Sequence, residues 1–67
     1  MNWTKRDLRA MFPNDSDQLF NACYRELNTW IRQGAIDTPD LQDAADWIEQ
    51  LMAERVNDSR SPFYLYG

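Results

Sequence analysis

Hydrophobic positions recur at helical spacing in three stretches of the chain, separated by short polar connectors. The clearest stretch runs from about Asp17 to Gln33. At ~100° per residue, Leu19, Phe20, Cys23, Tyr24, Leu27, Trp30 and Ile31 fall within one arc of ~140°. The opposite arc carries Asp17, Gln18, Asn21, Arg25, Asn28, Thr29 and Arg32. Gly34 follows directly, where a helix commonly ends on a left-handed residue. Before it, "PNDSD" collects cap-forming residues. Asp15 is the expected N-cap, because Gln18 lies three residues on, in capping-box register.

The third stretch carries Leu41, Ala44, Ala45, Ile48, Leu51 and Met52 as its apolar stripe and predicts a helix over about 39–56. Pro39 suits the first helical position and forces extended backbone on Thr38, the expected N-cap, and Asp40 in the first turn complements the helix dipole. The first stretch predicts a short helix over about 5–12. Thr4 is its N-cap, Asp7 closes a capping box, and Trp3 with Leu8 occupy the N′ and N4 positions of a hydrophobic staple. Pro13 ends this helix by pushing Phe12 out of the α region.

Two long amphipathic helices, one short helix and no strand-like alternation before the last residues indicate an all-α fold of one domain, 1–67. Its expected form is an antiparallel hairpin of the two long helices, Phe20, Leu27 and Ile31 facing Ala44, Ile48 and Leu51, with the N-terminal helix packed on it. Arg55 falls in the buried arc of the third helix; it is expected to snorkel outward, or to pair with an acid. After "NDSRSP" the chain ends in an aromatic tail, 62–67. Pro62 favours extended entry, so Phe63 and Leu65 should share one face and Tyr64 and Tyr66 the other. Phe63 and Leu65 are expected to fold back beside the first helix, near Trp3, Met11 and Phe12. The alternative is a tail that docks into a partner or into a second copy, making a homodimer.

Composition narrows the function. There is no His and only one Cys, and Gly34 and Gly67 are the only glycines. The commonest general base and metal ligand, an internal disulfide and a glycine-rich phosphate loop are all excluded. No nucleophile–base pair can be placed, so the expectation is a protein that is not an enzyme and holds no cofactor and no metal. A lone Cys fits a reducing, cytoplasmic setting. No apolar run is long enough to span a membrane, and "MNWTKRDLRAMF" lacks the apolar core of a signal peptide.

Charge distribution leaves two candidate faces. Asp37, Asp40, Asp43, Asp46, Glu49 and Glu54 lie on or just before the third helix with no Lys or Arg among them. Trp47 stands at the edge of that helix's apolar arc. Asp40, Asp43, Asp46, Trp47 and Glu54 therefore form the expected protein-binding surface, suited to a larger protein with a basic face. The plainer reading is a solvated acidic face with Trp47 sealing the rim of the core. The alternative nucleic-acid face combines Lys5, Arg6 and Arg9 with Asn21, Arg25, Asn28 and Arg32, side chains able to reach phosphates and base edges. Seven Lys and Arg against eleven Asp and Glu weigh against it, because phosphate binding is driven by cations. So does the second connector, which lacks the tight turn of a helix-turn-helix. In size, acidity and compactness alone, the chain resembles small helical proteins encoded by phages and mobile elements, such as anti-CRISPR proteins. That resemblance implies an inhibitor that occupies a surface of a larger host protein; a subunit of a larger assembly would use the same features.

Overall fold

The structure, a computed structural model, describes residues 2–64. They form three helices and no strand: α1 (Lys5–Ala10), α2 (Asp17–Arg32) and α3 (Leu41–Asn57). The fold is all-α. Most contact between helices is made by α2 with α3, and α1 leans on α3.

The start of α1 forms as its local sequence dictates. Asp7 N–H donates to Thr4 Oγ1 (3.2 Å) and Thr4 N–H donates back to Asp7 Oδ2 (3.1 Å). The staple residues Trp3 and Leu8 are both buried. The helix stops at Ala10 rather than Phe12. Met11 and Phe12 donate to the carbonyls of Leu8 and Arg9, three residues back, so the ladder tightens before Pro13. Arg9 then holds the corner into α2. Its guanidinium donates to the carbonyl of Phe12, to that of Asp15 (2.6 Å) and to Asp17 Oδ1 (2.9 Å).

The N-cap of α2 is Ser16, not Asp15. Ser16 Oγ accepts from Leu19 N–H at 3.0 Å. The backbone carbonyl of Asp15 is tied to Arg9, which leaves the next residue to begin the helix. At the other end Gly34 takes φ +73°. Gly34 N–H donates to the Ile31 carbonyl and Ala35 N–H to that of Trp30, the paired bonds of a Schellman motif. The N-cap of α3 is Asp40 rather than Thr38. Asp40 Oδ1 accepts from Asp43 N–H at 3.0 Å. Thr38 is buried, and its carbonyl accepts from Trp3 Nε1 at 3.0 Å. That long-range bond holds Thr38 in the extended connector, and the helix begins after it.

The core consists of Trp3, Leu8, Leu19, Phe20, Cys23, Leu27, Ala44, Ala45, Ile48, Leu51 and Met52, with Ile31, Tyr24, Trp47 and Phe63 among the partly buried residues packed against it. Asp58 closes the end of α3: its Oδ1 accepts from Arg60 N–H and its carbonyl from Ser61 N–H. Pro62, Phe63 and Tyr64 lie in turns, not in the expected extended conformation. The cause is local: Ser61 Oγ accepts from Phe63 N–H and the Ser61 carbonyl from Tyr64 N–H. Ser61 and Pro62 line a hollow with Glu26, Glu54 and Arg55. Ser61 and Pro62 thus leave α3 on that side, Phe63 packs against the core, and Met11 stays 41% exposed. Leu65 and Tyr66 lie outside the described residues.

Candidate functional site

Trp47 is half-buried, at the rim of the core, and its ring meets that of Trp30 from α2. The centroids are 6.4 Å apart and the planes are inclined by 51°. Trp30 keeps 37% of its surface exposed. Helical spacing sets Asp43, four residues before Trp47, and Glu54, seven after it, on the same strip of α3. The acidic set expected from the sequence is not brought together whole. Asp40 is spent as the N-cap of α3. Asp46 lies about 100° round the helix from Trp47 and accepts from Gln42 Nε2 at 3.0 Å. What remains is an aromatic pair with Asp43 and Glu54 in its strip. Trp30 enters this site only through the fold: on α2 alone it belongs to the apolar arc, and its partner lies on another helix.

The basic set is also divided. Arg9 is consumed by the corner it holds and by the Phe20 ring, 5.3 Å from its guanidinium carbon. Lys5 Nζ stands 5.1 Å from the centre of the Tyr24 ring. This brings Lys5 beside the α2 stripe of Asn21, Arg25, Asn28 and Arg32, in which Asn28 is half-buried and the other three are exposed. Arg6 is exposed on α1.

Arg55 pairs with Glu26, Nη2 to Oε2 at 2.5 Å, one of the two outcomes its position in the arc allowed. Beside this pair, burial pushes the Cys23 thiol up from its ordinary 9.0 to about 11. The Arg55 charge opposes that rise and the Glu26 charge adds to it. Cys23 is buried and free, a neutral packing group at ordinary pH.

A second concavity was not foreseen. An open groove of about 740 Å³ runs between the α1–α2 corner and the C-terminal half of α3, with Phe12, Leu19, Met52 and Val56 in its wall beside Asp15 and Glu49. Among the described residues, no three Cys, Asp or Glu side chains converge as a metal site. No helix among them is long and apolar enough to cross a membrane. Comparison with protein-family models, with curated proteins and with solved structures finds no match.

Proposed function

We propose that the chain is a non-enzymatic protein-binding module whose interface centres on Trp30 and Trp47. It acts as an inhibitor or modulator of a larger protein, in the manner of the small phage-encoded proteins it resembles in size and acidity. The scaffold in this reading is an antiparallel hairpin of α2 and α3 with the tail packed on it. Two contacts support the hairpin: Trp30 meets Trp47, and Glu26, earlier on α2, meets Arg55, later on α3. The packing of Phe63 against the core supports the tail's structural role.

The observation that carries the function is the Trp30–Trp47 pair. Large aromatics that stay partly exposed on a rigid helical surface are the residues that anchor interfaces. Asp43→Lys combined with Glu54→Lys is expected to abolish capture of the proteins that the wild type retains. Asp46→Lys combined with Glu49→Lys, on a neighbouring face of α3, is expected to preserve it. Helix content should match the wild type in both. Capture that survives the first pair unchanged would place the interface elsewhere.

A second reading has one observation behind it. Lys5 completes an exposed stripe with Asn21, Arg25 and Arg32 that a nucleic-acid backbone could meet. Binding to random duplex DNA at low salt that collapses as salt rises would favour this reading; its absence at low salt favours the protein interface.

A further inference from the structure

The chain's own cations cover two of its aromatic rings and leave the Trp pair open. Lys5 stands over Tyr24 and Arg9 over Phe20. Among the described residues no Lys or Arg stands over Trp30 or Trp47. We propose that this face receives an arginine side chain of the partner protein, stacked on the indoles and paired with Asp43, with Glu54 further along the strip adding to its negative charge. The proposal rests on the reading of this face as the interface and specifies what it binds.

Three features of the face select a cation. First, the two indoles meet at 51° rather than closing on each other as a stack, and Trp30 remains open to solvent. Their electron-rich faces attract a positive group. Second, the ion pairs among the described residues are Arg9–Asp17 and Arg55–Glu26, so Asp43 and Glu54 have no such partner. Arg60 shares a hollow with Glu54 but makes no ion pair with it. Third, a purely apolar partner closing over the Trp pair would draw water from the Asp43 carboxylate, one turn along the same strip, without compensation, which is unfavourable. A guanidinium stacked on the rings can reach the Asp43 carboxylate, one helical turn from Trp47. Arginine is preferred to lysine because its flat, weakly hydrated head stacks on aromatic faces and meets a carboxylate with two parallel N–H groups.

The test uses the full chain and two peptides, hexa-arginine and a hexamer of citrulline, its uncharged isostere. The indole N–H resonances of the three tryptophans are followed during titration at near-physiological salt. Hexa-arginine is expected to shift those of Trp30 and Trp47 and to leave that of Trp3, buried and bonded to Thr38, in place. Citrulline hexamer is expected to shift none. Trp30→Leu keeps an apolar side chain but removes the ring, and should weaken arginine binding about three- to fivefold. Asp43→Asn with Glu54→Gln should weaken it at least as much. Equal response to the citrulline peptide would overturn the proposal, since charge would then be irrelevant. So would shifts spread over Asp37, Asp46 and Glu49 with the indoles unmoved, the sign of diffuse charge attraction. If the lysine pair at 43 and 54 abolishes protein capture yet hexa-arginine leaves the indoles unmoved, the interface stands and the arginine specification falls.

Discussion

Cys23 is the residue whose surroundings most change its chemistry. It is enclosed between α2 and α3 beside the Arg55–Glu26 pair, and burial raises its thiol from 9.0 to about 11. The fold therefore favours the protonated thiol. Between those two values the folded chain keeps a proton that the unfolded chain releases. The stability this contributes is fully present below the unfolded value of 9.0 and is lost as pH rises through about 11. Cys23→Ala should accordingly show a shallower fall in urea midpoint over this alkaline window than the wild type, even if its midpoint is lower at neutral pH. Parallel slopes for the two proteins would show that the thiol does not titrate in a fold-dependent way. Arg9 is the other residue whose role exceeds its type. Its alkyl stem and guanidinium join two carbonyls, one carboxylate and one ring at the α1–α2 corner. Lysine could not reproduce that fork.

At the scale of the element, the helices are set by their ends. A six-residue helix such as α1 is marginal by itself. It persists because both capping-box bonds form and because Trp3 and Leu8 are buried. Ser16→Ala and Asp40→Ala should each cost about 1 kcal/mol, the usual value of an N-cap side chain, and Asp15→Ala only about a few tenths. Urea midpoints of the three variants check this order, and Asp15→Ala as the most destabilising of them would contradict the assignment of Ser16. The two cap positions that differ from expectation have a common cause. Each was decided by a bond from elsewhere in the chain, Arg9 to the Asp15 carbonyl in one case and Trp3 to the Thr38 carbonyl in the other. Cap propensity ranks Ser and Asp equally and Thr below them by a small margin, so a remote donor can settle or reinforce the choice.

The whole molecule is thin. Its extents are 32 × 25 × 15 Å, and the shortest leaves room for about two helices packed 8–10 Å apart. No helix can be covered on both sides, which is why Trp30 and Met11 remain exposed although they lie on apolar stretches. A core this small has little reserve. Leu27 is fully buried in its centre, and Leu27→Ala should cost roughly 2–5 kcal/mol, enough to unfold much of the population. Thermal melting checks it directly, and an unchanged melting temperature would mean that Leu27 is not part of the core. With so little interior, the distinctive chemistry of this chain lies on its outer faces, the Trp pair on one and the Lys5 stripe on another.

Three helices, the capping box at Thr4 and Asp7, the stop at Gly34 and the membership of Leu27, Ile48 and Leu51 in the core were all determined by the sequence alone. Each depends on neighbours within about one or two turns, the range over which backbone geometry and helical period act. The tertiary structure alone decided that Trp30 meets Trp47, that Arg9 is withdrawn from the basic set, and that Ser61 and Pro62 after α3 share a hollow with Glu26. Those outcomes depend on how one helix is rotated and placed against another. Helical period specifies which side of a helix is apolar, but not which residues of two separate helices finish side by side.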